Sequence, residues 1–183
     1  MNGNKHFRGA LALLATAAAL ALPGCGGSDD DAGSTGGGGG ASTLTFSAAN
    51  PAAHNTSVDV AAAKTVGNDA RAADAFSAAP YCDVYYEDAT AANGKHYALQ
   101  VYFRQSDKAP LHASLIDATT GAAMWVAFHN DGGKPITGIT VDTTARTLTF
   151  ASKELSGTSG EKVTISGTAS FPKNSTSTAG CGA

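Results

Sequence analysis

Four side chains near the middle of the chain have the types that recognise a ligand: Tyr102, His112, Trp125 and His129. Two imidazoles donate and accept hydrogen bonds or ligate a metal. Two aromatic rings offer an apolar plane with a polar edge, on which a sugar ring can stack. Two histidines alone make a poor metal site, because a third protein ligand is normally required, so no metal is expected. Ser159 with Lys162, and Ser170 with Lys173, have the Ser-x-x-Lys spacing of some acyl-transfer enzymes. That chemistry needs the pair at the head of a helix, with partner motifs that are absent here. Residues 157–162 lack the spacing and following helix of a phosphate loop. The aspartates at 29–31 lack the spaced ligands and final glutamate of a calcium loop. Asp83, Glu87 and Asp88 are the dense acids of the later chain, and nothing in their spacing makes them converge as a hydrolytic carboxylate pair. No catalytic residue and no cofactor are therefore expected.

What gathers the aromatic and imidazole side chains is a run of period-two segments. Residues 81–87 put Cys82, Val84 and Tyr86 on one face. Residues 96–104 put Tyr97, Leu99, Val101 and Phe103 on one face, with Gln100, Tyr102 and Arg104 on the other. Leu111, Ala113 and Leu115 continue the apolar face, then Met124, Val126 and Phe128. Pairing Val101 with Ala113 sets Tyr102 opposite His112. Pairing Ala113 with Val126 sets Leu115 opposite Met124. Both registers keep the apolar face intact, which is what fixes register in a one-sided sheet. They place His112, Trp125 and His129 together on the other face. Two readings compete there: an open ligand face, or a face covered by the segment around Phe76 or by the N-terminal strand, which would bury Trp125 and Ile116.

Further strands are predicted at residues 43–46, 136–142, 146–152 and 162–171, separated by turn signals such as Asn93-Gly94 and residues 130–133. Residues 58–66 are ambiguous between strand and helix. Residues 70–79, with Asn68 or Asp69 as cap and Pro80 as stop, read as a short helix anchored by Phe76. The fold class is mainly β: an antiparallel β-sandwich or barrel-like meander with one short N-terminal helix.

The N-terminus sets the compartment. Lys5, His6 and Arg8 precede the uncharged run 10–22, the layout of a secretory signal peptide. The run is shorter than the roughly 20 apolar residues a spanning helix needs. Removing residues 1–24 takes away Lys5 and Arg8 and no acid, and moves the formal charge from −3 to −5. That balance argues against a nucleic-acid partner. Residues 28–42, with three aspartates and five glycines in succession, cannot bury enough apolar surface to offset their ordering entropy and read as a tether. The remainder, 44–183, is the size of one domain with one core. With Cys25 set apart, Cys82 and Cys181 are left to pair in an oxidising compartment.

Leu22, Pro23, Gly24 and Cys25 resemble the lipobox of bacterial lipoproteins, with proline where alanine, serine or threonine is usual. The resemblance covers residues 1–25 only. It implies a diacylglycerol, with a further acyl chain such as palmitate, on Cys25, a membrane partner through that lipid, and, with Gly26 in place of a retention aspartate, delivery to the outer membrane. The expected role is non-enzymatic binding or envelope support, with a protein or a glycan as partner. An envelope hydrolase is one alternative, and an inhibitor or adaptor docking a protein through the Tyr102/Trp125 face is another.

Overall fold

The computed structural model describes residues 42–121, 124–128 and 136–183. The expected signal segment with Cys25, the expected tether through residue 41, His129 and the turn expected at 130–133 lie outside these. The strands are β1 (Thr43–Asn50), β2 (Thr56–Asp59), β3 (Thr65–Arg71), β4 (Tyr81–Thr90) and β5 (His96–Arg104), then β6 (Pro110–Asp117), β7 (Met124–Phe128), β8 (Ile139–Asp142), β9 (Thr147–Ser156) and β10 (Lys162–Ser170). They form one antiparallel sheet in the order β2-β1-β10-β9-β7-β6-β5-β4-β3, with β8 paired to β9. The expected meander holds from β4 to β7. The sheet curls until Val58 of β2 bridges Ala91 beyond β4, and the Ala92 N–H donates to the Ser57 carbonyl at 2.9 Å. The ladder goes no further, so the sheet is not closed into a barrel.

One hydrophobic core fills the inside of the curl, and alternation decides who enters it. Leu99, Val101 and Phe103 of β5 share it with Val84 and Tyr86 of β4, Ala113 and Leu115 of β6, and Val163 and Ile165 of β10. In three strands the inward phase slips by one residue: after Phe46 to Ala49, after Tyr86 to Ala89, and after Phe150 to Leu155. Each slip has a non-glycine residue at positive φ within it, namely Ala48, Asp88 and Ser152. These are β-bulges, which insert one residue and bend the strand, and here they let long strands follow the curl. Gly167 lies beside the third, at φ 123°, where a Cβ would stand 2.4 Å from the Thr43 carbonyl oxygen. Only glycine lets β10 approach β1 this closely.

The short helix expected over 70–79 does not form. Ala70 and Arg71 belong to β3, paired with Cys82 and Tyr81, and residues 72–80 are irregular. Val66, Asn68 and Ala70 alternate inward along the edge of the sheet, so the ladder to β4 outweighs the helix propensity of alanine. Asp74 then ties a local turn, accepting from the Phe76 and Ser77 N–H groups at 2.8 and 3.1 Å. The helical turns that do occur are single 3₁₀ turns at Ala52–His54 and Val60–Ala62.

Cys82 and Cys181 form a disulfide that closes a 99-residue separation. The tail it fixes is also latched by amides. The Asn68 side chain donates to the Pro172 and Cys181 carbonyls at 3.1 and 2.6 Å, and Asn174 donates back to the Asn68 carbonyl at 2.8 Å. The tail is thus fastened to β3, one outer edge of the sheet.

Candidate functional site

The β5–β6 register is the expected one where Val101 faces Ala113 and Tyr102 faces His112; a shift then sets Phe103 opposite Pro110 instead of Leu111. The β6–β7 register is not. Ala113 faces Ala127, Leu115 faces Trp125 and Ser114 faces Val126. A slip of one residue reverses the two faces of a strand, so Trp125 points into the core. It is 0 % exposed and packs edge-on to His54 at 4.8 Å. This corrects the ligand-face assignment of Trp125 and removes the Tyr102/Trp125 docking surface. The covered reading holds for a different pair of residues: Phe76 lies over Tyr102 and His112, with ring centroids at 4.8 and 5.6 Å. Tyr81 joins them at 5.2 Å from Tyr102, and its hydroxyl donates to Asp74 at 2.9 Å. His112 is 8 % exposed, and burial pushes its imidazole down to about 4. The chain's own β3–β4 connection therefore occupies the aromatic platform. Iodide is expected to leave the emission of Trp125, the one tryptophan, essentially unquenched; quenching comparable to that of a free indole would contradict its placement.

What remains open on this outer face is its neighbour, across β3, β4 and β5. Register sets Asp69, Asp83 and Tyr102 side by side, then Gly67, Tyr85 and Gln100 one step along. Asp69 and Asp83 are directly opposed like charges, which destabilises a sheet unless something bridges them. Arg71 does so, at 3.4 Å from Asp69 and 3.0 Å from Asp83. Gln100 donates to the other Asp83 oxygen at 2.9 Å. Asp83 is 4 % exposed, and burial raises its pKa against the opposing pull of Gln100 and Arg71. The Asp83 bond in turn holds the Arg71 guanidinium above its ordinary value. Tyr85 is raised by burial and by the charges of Asp69, Glu87 and Asp83 around it. The tip of its ring lies over Gly67, where a Cβ would come 2.0 Å from Cζ. Asp69, Arg71, Asp83, Tyr85, Glu87 and Gln100 line a cleft of about 380 Å³.

Tyr81, Asp83, Tyr85 and Glu87 are the residues left over when Cys82, Val84 and Tyr86 are assigned inward, so the signal was the polar parity of β4. Asp83 and Glu87 both line this cleft; Asp88 does not, and pairs with His96 at 2.7 Å. Arg71 was hidden by the expected helix.

A second constellation lies inside. His54 Nδ1 and the Tyr97 hydroxyl share a hydrogen bond of 3.0 Å, and Asp117 stands 3.9 Å from the same nitrogen. Lys95 donates to Asp117 at 3.0 Å. Burial first, then the charge of Lys95, lowers the His54 pKa against the pull of Asp117. His54 is buried, so these groups cross-link η-turn and sheet rather than face a ligand. Among the described residues no group of three or more His, Cys, Asp or Glu side chains is placed to hold a metal ion.

Both Asp83 oxygens are engaged by Arg71 and Gln100. Arg71 and Asp69 are half-exposed and keep donor and acceptor capacity toward the cleft. No protein-family model matches this chain, and no curated protein and no solved structure matches it.

Proposed function

We propose that this chain is a bacterial envelope lipoprotein, held to the outer membrane through acyl chains on Cys25, whose β domain binds a ligand without transforming it. The observation that carries the binding role is the Arg71–Asp83–Gln100 network: a buried carboxylate fixes a guanidinium and an amide on the exposed face of a sheet. Side chains locked by such partners lose little freedom when a ligand arrives, and preorganisation of this kind is what raises affinity. A cleft of about 380 Å³ lies within the size range of small-molecule sites. The anchoring half rests on the lipobox resemblance at Leu22, Gly24 and Cys25. Two or more acyl chains hold stably where one binds marginally.

Replacing Cys25 by serine and fractionating the cells tests the anchor. The wild-type protein is expected in the membrane fraction and the variant in the soluble fraction. A variant that stays in the membrane fraction sinks the anchoring reading. An intact mass of the gently extracted wild type gives the second arm: cleavage before Cys25 with added acyl mass supports it, and a full-length unacylated mass contradicts it.

A further inference from the structure

We infer that the cleft formed by Arg71, Asp83, Tyr85 and Gln100 on the outer face of β3–β5 is a subsite for a neutral saccharide. The inference rests on the binding role proposed above and names its ligand class. The argument turns on the mixture of groups. Asp69 and Arg71 are both half-exposed and stand on the same strand, and Glu87 is exposed at the other end of the cleft. A bare anion, such as a phosphate or a uronate, meets the carboxylates of Asp69 and Glu87. A bare cation meets the Arg71 guanidinium at the centre. A hydroxyl is donor and acceptor at once, so neighbouring hydroxyls of a sugar ring satisfy the remaining Arg71 N–H groups and the Asp69 carboxylate together without stranding a charge.

The aromatic wall points the same way. The tip of the Tyr85 ring can rest against the β3 backbone because residue 67 has no side chain. A partly exposed tyrosine offers an apolar ring with a hydroxyl at its edge, which suits a ligand ring with one apolar face and polar edges. The supports are rigid: Arg71 and Asp83 fix one another, and Gln100 is fixed by Asp83. The cleft is open and polar, so it fits a short run of an extended polymer rather than an enclosed metabolite. Such polymers are accessible to a protein tethered at an envelope surface.

The test uses the full-length chain in detergent micelles, with the Gly67 and Asp69 amides and the Tyr85 ring followed by NMR. The probes are maltotriose and tri-N-acetylchitotriose as neutral sugars, trigalacturonate as the anion, the glucosamine trimer as the cation, and a Lys-Ala-Lys peptide. Neutral sugars are expected to shift these resonances saturably, and the charged probes are not. Gly67→Ala keeps an ordinary backbone conformation but forces the Tyr85 ring to lift, and Asp69→Asn removes an exposed acceptor charge. Each is expected to weaken neutral-sugar binding roughly tenfold while leaving Trp125 emission, the report on the core, unchanged. Sugar binding that is indifferent to both variants overturns the location. Preference for any charged probe, sugar or peptide, overturns the neutral-saccharide assignment. No response to any probe overturns this inference, while the anchor is decided separately by the Cys25→Ser fractionation.

Discussion

Cys181→Ser is expected to cost about 4–5 kcal/mol of unfolding free energy, which is a large share of the total for a domain of this size. The chain-entropy model assigns nearly that value to a loop of about 100 residues, and the Cys82–Cys181 separation is 99. The tail has little else to hold it. From residue 172 onward Cys181 is its buried hydrophobic residue, and the remaining attachments are amide hydrogen bonds through Asn68 and Asn174. Urea unfolding of wild type, Cys82→Ser, Cys181→Ser and the double variant gives the measurement. Each single variant should lose about as much as the double, because both remove the same bond. A loss under about 1 kcal/mol contradicts the account. The effect should reach the cleft as well. Asn68 sits on β3 with its side chain on the tail, while its strand neighbours Gly67 and Asp69 face outward. Freed of the tail, β3 is an edge strand held by β4 alone. Amide exchange from 65 to 71 is therefore expected to rise more than in the central strands.

The parts of this structure that were legible in the sequence are those where one rule acts alone. Residues 96–104 alternate without a break, and the β5 phase and its pairing with β6 follow from that pattern. The cysteine count left one pair, and the pair forms. The β6–β7 register was not legible, because Met124, Val126 and Phe128 alternate as well as Trp125 and Ala127 do, and either set could have faced inward. Trp125 goes inward to meet Leu115 and His54, a residue some 70 positions away whose segment has no periodicity of its own. Bulges at Ala48, Asp88 and Ser152 were equally hidden, since none is glycine, the residue that usually announces a positive φ. The cleft was half legible. Tyr102 and Gln100 were placed on the outer face of β5, but Arg71 sat in a segment whose alanines favoured a helix. Only the pairing of β3 with β4 brings it to Asp83.

Lowering the pH from 7.5 to 4.5 is expected to remove several kcal/mol of stability, with His112 as a principal cause. Burial against Phe76, Tyr102 and the sheet pushes His112 down to about 4, whereas an exposed imidazole titrates near 6.5. The unfolded chain takes up its proton first, so stability is complete above about 6.5 and is lost as pH falls toward 4. The difference corresponds to about 3 kcal/mol for this one group. His54 is depressed too and acts in the same direction. Asp83 acts oppositely, because burial raises its carboxyl and acid relieves it. Asp117, held below the carboxylate range mainly by Lys95 and Thr119 against the effect of burial, adds a loss only at still lower pH. The window between 6.5 and 4 thus belongs to the two histidines. His112→Phe keeps an aromatic ring under Phe76 and cannot be protonated. In urea titrations across this range, followed by Trp125 emission, the variant should lose less stability than wild type by about 3 kcal/mol. Parallel profiles for the two proteins contradict the assignment of acid sensitivity to His112. A variant that is also more stable at pH 7.5 fits it, since the neutral imidazole is itself a polar group held on a largely dry face.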